Sequence, residues 1–194
     1  SLARVFLFAA RDVWFVVGIP IYFYSIWSDG SDAGNKAAFF MIGSFMALWV
    51  ITYGVVQGFA PRILAKFPVR SAAGLAGGLA LLPMALGALV WGDVSGLTNL
   101  IVVGLFLFGA LFALNSALHS FLILHFTTAD RVTLDVGFYY MSNAAGRLLG
   151  TLLSGVTYQI GGLPLCLGTA AAMIGLSWMG TRKLHINTKQ DIPS

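Results

Sequence analysis

The sequence predicts an all-α membrane protein with six transmembrane helices. Three observations carry that expectation. Of 194 residues, 58% are hydrophobic and only 9% charged, with a mean hydropathy of +0.87, whereas a soluble domain carries roughly 25% charged residues. The apolar residues fall into six stretches, each close to the ~20 residues that cross a hydrocarbon core as a helix. The stretches are separated by short segments of turn chemistry, with no soluble domain between them.

Taken in order, the first span covers about Leu2 to Trp27, the second Ala37 to Ala60 and the third Ser71 to Trp91. The fourth covers Leu97 to Phe126, the fifth Asp135 to Tyr158 and the sixth Leu163 to Leu184. Residues 1–184 form the transmembrane bundle and 185–194 a polar tail expected to fray. The segments Ser28 to Asn35 and Gly92 to Gly96 are rich in Gly, Ser and Asp and predict turns. Ile160-Gly161-Gly162 is the tightest link, so the fifth and sixth spans are expected to form a hairpin. Pro20 and Pro83 predict kinks rather than sites. Gly74 with Gly78, and Gly146 with Gly150, have the small-xxx-small spacing that lets helices approach closely. The first residues open directly into a span, so no signal peptide is expected, and the chain reads as a fragment or a processed piece.

Lys and Arg set the expected orientation. With the N-terminus in the cytoplasm, the inner side holds Arg4, Arg62, Lys66, Arg70, Arg131, Arg182, Lys183 and Lys189, and the outer side only Lys36. This asymmetry predicts that both termini are cytoplasmic. It also explains most of the net charge of +4 without a nucleic-acid partner. The single cysteine, Cys166, lies in an apolar run and reads as a small buried residue.

The fifth span is the most informative. At 100° per residue, Tyr140, Asn143, Arg147, Thr151, Ser154 and Tyr158 fall on one stripe of an otherwise apolar helix. A central Arg costs about 3 kcal/mol in lipid, so Arg147 is expected to face protein or a watery cavity. The first span adds Arg11 and Asp12. They are adjacent and project about 100° apart, which argues against a good pair between them. Asp12 reads either as a structural partner of Arg147 or as a proton-coupling group. The second span places Trp49, Tyr53 and Gln57 on one face, either as plain packing or as part of a binding wall. The fourth places Asn115 four residues before His119, which reads as an interhelical hydrogen-bonding group or a proton carrier. His125 reads as interfacial. The third and sixth spans hold no ionisable residue. Two sets of three spans, the first two of each polar and the third apolar, match a transporter half built from a repeat. The polar spans one, two, four and five are expected to surround a cavity. No metal-ligand cluster or catalytic motif appears, so the chain is expected not to be an enzyme and to need no cofactor.

Three segments carry a family resemblance. Leu7-Phe8-Ala9-Ala10-Arg11-Asp12-Val13-Trp14-Phe15-Val16-Val17-Gly18-Ile19-Pro20 resembles the seventh helix of the organoarsenical efflux permeases (the ArsJ family) of the major facilitator superfamily. Residues 47–62, from Ala47 through Trp49, Tyr53 and Gln57 to Arg62, resemble the helix that follows. Gly146-Arg147-Leu148-Leu149-Gly150, continued to Tyr158-Gln159-Ile160-Gly161-Gly162, is similar to the eleventh helix of many facilitators. The last motif is specific for the superfamily only. The resemblance covers nearly the whole chain but only the C-terminal half of a twelve-helix protein, a six-helix unit with a 3+3 repeat. The turn at residues 61–70 keeps basic residues but lacks the acidic residue of the superfamily's usual gating motif.

The resemblance implies export of arsenylated phosphoglycerate across the bacterial inner membrane. It also implies a missing N-terminal six-helix half and a functional link to glyceraldehyde-phosphate dehydrogenase, which makes the ester. From the residues themselves, the candidate substrate-binding set is Arg11, Tyr53, Gln57, Asn115, His119, Tyr140, Asn143 and Arg147. Asp12 and His119 are the candidate proton-coupling pair, with antiport as the expected mode. Paired guanidinium groups suit a small organic oxyanion because each fork matches a tetrahedral oxyanion in a bidentate way. Two other readings stand beside this one: a facilitator for another organic phosphate, sugar or drug, and a non-transporting module that assembles with partner helices.

Overall fold

The computed structural model describes residues 2–64, 71–92, 96–126 and 132–190. The described residues form six helices: α1 (Leu2–Phe15), α2 (Gly18–Trp27), α3 (Asp32–Leu64), α4 (Ser71–Trp91), α5 (Leu97–Phe126) and α6 (Val132–Gln190). Five stretches are long and apolar enough to cross a membrane: Leu2–Trp27, Asp32–Leu64, Gly74–Trp91, Leu97–Leu118 and Val136–Gly180. Their composition is that of an integral membrane protein. The expected six spans thus appear as five stretches, because the fifth and sixth are joined in one assigned helix.

That helix is bent. A straight run of 59 residues would reach about 88 Å, nearly three times the ~30 Å hydrocarbon thickness. Gly161 and Gly162 depart from helical geometry, with Gly162 at φ +63° and ψ −159°. Only glycine adopts that conformation readily, and Pro164 then sits in the first turn of the second arm, where its missing N–H costs nothing. The two arms, 132–160 and 163–190, run back along α1. A side chain at Gly146 would meet Val5 and one at Gly180 would meet Ala3, while Gly18 lies against Cys166 and Leu163. The expected hairpin is therefore present. The assigned helix also continues to Gln190, through the tail expected to fray.

The first span is broken rather than continuous. α1 stops at Phe15 and α2 begins at Gly18. Pro20 has no N–H, and its ring crowds the carbonyl of Val16, four residues back, which places the break. The freed amides of Val17 and Gly18 donate to the Ser154 hydroxyl oxygen at 3.1 and 3.3 Å. A residue of α6 thus replaces hydrogen bonds that α1 and α2 cannot make. Pro83, by contrast, lies inside unbroken α4.

α3 begins five residues before the expected second span, inside the segment read as a turn. Ser31 caps it: its Oγ accepts from the Gly34 amide at 3.0 Å and donates to Asp29 Oδ1 at 2.7 Å. The same Asp29 oxygen accepts the Ser31 amide at 2.9 Å, and the two bonds hold the Asp29 carboxyl below its usual range.

α1 forms the centre of the bundle, with Leu7, Ala9, Ala10, Val13 and Trp14 fully buried. Trp14 packs edge-on against Trp49 of α3 and Phe108 of α5, with centroids 5.6 and 5.2 Å apart. The Trp49 indole donates to the Leu105 carbonyl at 2.8 Å. Lipid tails are as apolar as these side chains, so close packing and internal hydrogen bonds hold the helices together. Gly146 and Gly150 let α6 approach: a Cβ there would lie 2.5 Å from the Val5 carbonyl oxygen and 2.6 Å from that of Ala9. Gly74 and Gly78 face open space instead. In α4 the close approach is at Gly87, where a Cβ would lie 3.3 Å from the Pro164 carbonyl oxygen.

Candidate functional site

The charged groups expected in the membrane meet at one point, where α1 crosses the first arm of α6. Asp12 is buried, with its side chain 2% exposed. Its Oδ1 accepts from Arg11 Nε at 2.6 Å and its Oδ2 from Arg147 Nε at 3.4 Å. Two guanidinium groups share one carboxylate, and the cluster carries one net positive charge. Gly150 makes the meeting possible, since a Cβ at that position would lie 2.9 Å from Asp12 Cβ.

One expectation is corrected here. The adjacent pair Arg11–Asp12 does form, at 2.6 Å. The 100° between their Cα–Cβ bonds is overcome by the flexible Arg stem, which curls until Nε reaches the neighbouring carboxylate. Asp12 is also the partner of Arg147, which was one of its two readings. Arg147 itself is not enclosed. Its side chain is 66% exposed, on the same outward face as Tyr140, Leu148 and Leu152. The stripe lies at the edge of the buried sector of α6, so its members divide: Tyr140, Arg147 and Thr151 face outward, while Ser154 is buried and Asn143 partly so.

The remaining candidates distribute as follows. Arg11 lies over the Phe112 ring, 5.8 Å from its centroid, and Tyr53 packs on the same ring at 5.9 Å while stacking on Trp49. Tyr53 therefore flanks the cluster. Trp49 is a core residue with a satisfied N–H, which answers the packing question for that position. Gln57 is half-buried on α3. Asn115 is buried on α5, and its Oδ1 has no hydrogen-bond partner among the described residues. The side chains of His119 and His125 lie outside the described residues, as do Lys66, Arg70 and Arg131. Tyr140 is exposed and sits edge-on to Tyr139, 5.1 Å away. Asn143 is drawn away from the cluster to a second centre.

That second centre was not anticipated. Arg4, expected at the inner surface, is only 2% exposed. Its Nε donates to Asn143 Oδ1 at 2.9 Å and its Nη2 to Ser120 Oγ at 3.1 Å. The Tyr139 ring covers the guanidinium, with Cζ 3.4 Å from the ring centroid. The signal lay in the sequence, since Arg4 and Arg11 are seven residues apart on one helical face. Counting Arg4 as a loop cation concealed it.

Helices α1, α3, α5 and the first arm of α6 bring the polar groups together, but on an open wall. A concavity of about 630 Å³ lies elsewhere, between α4 and the second arm of α6. Ala76, Ala80, Met84, Gly168, Ala172 and Gly175 are among its lining residues. Among the described residues its lining has no charged group to hold an anion. Comparison with protein-family models, with characterised proteins and with solved structures finds no match to this chain.

Proposed function

We propose that the chain is one six-helix half of a major-facilitator exporter for a small organic oxyanion, with arsenylated phosphoglycerate as its substrate. The observation that carries this reading is the Arg11–Asp12–Arg147 cluster. It places an uncompensated positive charge within apolar helices, and Arg147 points out of the chain rather than into its core. A purely structural arginine would be expected to have its charge fully matched and its head group enclosed. Here one guanidinium of the pair remains available to an anion.

The six crossings of this reading are α1 with α2, then α3, α4, α5 and the two arms of α6. They form two sets of three in which the polar members face a second half. The exposed wall bearing Arg147, Tyr140 and Thr151 supports that partner, because an open face provides only one side of a cavity. The Lys and Arg asymmetry of the sequence supports an orientation with both termini in the cytoplasm, at a bacterial inner membrane. An anion arriving at Arg11 and Arg147 competes with the Asp12 carboxylate for the same donors. Protonation of Asp12 and anion binding are therefore linked, and Asp12 is the group to which we assign proton coupling.

The test is growth of an arsenate-sensitive host carrying the native gene, with and without its partner glyceraldehyde-phosphate dehydrogenase. Resistance that requires both proteins is the expected outcome. Resistance without the dehydrogenase would point to another organic anion, and no resistance in either case would reject the substrate. Vesicles containing only this chain are expected to show no saturable flux. Robust flux would reject the need for a second half.

A further inference from the structure

We propose that Arg4 forms a second oxyanion site, shut in this conformation and distinct from the Arg11–Asp12–Arg147 cluster. The inference rests on the reading of this wall as an oxyanion path and adds a second station to it.

The side-on edge of the Arg4 guanidinium is filled by two neutral oxygens, Asn143 Oδ1 on Nε and Ser120 Oγ on Nη2. Its end-on edge is not. Nη1 is buried and has no hydrogen-bond partner among the described residues. No described carboxylate lies within ion-pair distance of Arg4; the two described ion pairs both belong to Asp12. Among the described residues Arg4 is therefore a buried cation with neutral hydrogen-bond partners and an unpaired Nη1. Such a charge is costly to bury alone, and a bidentate oxyanion is the ligand whose geometry and charge match the end-on edge.

The covering group is Tyr139. Its ring centroid lies 3.4 Å from the guanidinium Cζ, and its hydroxyl is tied to Ser120 Oγ at 2.9 Å. Movement of this one ring would uncover the cation without breaking the backbone of any helix. Arg4 and Arg11 share a face of α1 two turns apart, about 10 Å along the axis. An oxyanion released by the cluster would find its next cation there, at the end of the bundle where Ala3 and Gly180 meet. Ser120, Asn143 and Tyr139 come from α5 and α6, so the site exists only while three helices are together.

The experiment is calorimetric titration of the full chain in nanodiscs of zwitterionic lipid, with inorganic phosphate as the probe. Wild type is expected to show two binding events per chain. Arg4→Gln should remove one, weakening it by about thirtyfold or more, and Arg147→Gln should weaken the other. Tyr139→Ala keeps Arg4 and removes its cover, so phosphate association at that site should become faster in stopped-flow measurement. This second variant decides the matter if Arg4→Gln does not fold. The assignment is overturned if folded Arg4→Gln keeps wild-type stoichiometry and affinity, if Tyr139→Ala leaves association unchanged, or if wild type binds no phosphate. If Arg147→Gln keeps both events while Arg4→Gln loses one, the cluster reading fails and the Arg4 site stands.

Discussion

Replacing Asp12 by Asn tests the charge arrangement at the centre of the fold. The carboxylate is 2% exposed and its partner Arg11 15% exposed, and they meet at 2.6 Å. Removing one member of such a buried pair costs about 3–5 kcal/mol, because the other charge is left uncompensated. The contact to Arg147 is different in kind. It is longer, 3.4 Å, and its guanidinium is 66% exposed, so solvent screening reduces it to about 0–1 kcal/mol. Asp12→Asn should therefore be far more damaging than Arg147→Gln, although both break a contact to the same carboxylate. At roughly 2–4 °C per kcal/mol for a chain of this size, the first should melt ~6–20 °C lower and the second within a few degrees of wild type. Trp14 and Trp49 lie in the core against α1, so tryptophan fluorescence of the protein in nanodiscs follows the transition. Adding Arg11→Gln to Asp12→Asn makes a neutral pair and should recover most of the loss. A melting point for Asp12→Asn equal to wild type, or a greater loss in Arg147→Gln, would refute the reasoning.

Three further outcomes follow from the packing and the turn. Gly150→Ala should cost ~1–3 kcal/mol, since its Cβ would meet the Ala9 carbonyl oxygen at 2.6 Å, whereas Gly155→Ala, with nothing within 4 Å, should be neutral or mildly stabilising; equal melting shifts would contradict the close approach. Ser154→Ala leaves two amides of the α1–α2 break without their acceptor and should cost about 1–3 kcal/mol, with faster hydrogen exchange at Val17 and Gly18; unchanged exchange would dismiss Ser154 as their acceptor. Asp29 titrates below its usual range because Ser31 donates two hydrogen bonds to it. Its contribution is present above the unfolded pKa and is lost as the pH falls through the lower folded value. In Ser31→Ala an NMR titration should find the Asp29 pKa shifted upward, and an unshifted value would remove Ser31 as the cause.

Much of the fold was legible because it depends on backbone chemistry. Glycine at 161 and 162 marked the reversal, and proline at position 20 marked where the first span departs from a straight helix, although Pro83 lies inside unbroken α4. The Gly146–Gly150 contact was legible for the same reason, as absent side chains mark where backbones can approach. Gly74 and Gly78 have the same spacing without the contact, since spacing permits an approach but does not supply the neighbour. The site was less legible because arginine side chains are long. A helical wheel assigns each residue one direction, yet Arg11 curls back to its neighbour Asp12. Counting charges near span ends cannot separate an Arg at the surface from Arg4, which finds Asn143, Ser120 and the Tyr139 ring within reach. The stripe on α6 was correct in composition, but its members divide because it lies along the boundary between buried and exposed sectors. Arg147 faces outward and Asn143 inward.

The proposal that Arg147 and Arg11 carry an arsenylated anion out of the cell is tested most directly by arsenic retention. Arsenate-loaded cells would express the native protein together with the dehydrogenase, comparing wild type with Arg147→Leu at matched membrane abundance. Loss of the intramembrane charge leaves insertion at least as favourable, so abundance can be matched. The account predicts that wild-type cells lose arsenic only when the dehydrogenase is present. It predicts that Arg147→Leu cells retain as much as cells lacking the protein. Wild-type loss of arsenic in Arg147→Leu would contradict the oxyanion role and leave Arg147 a packing residue.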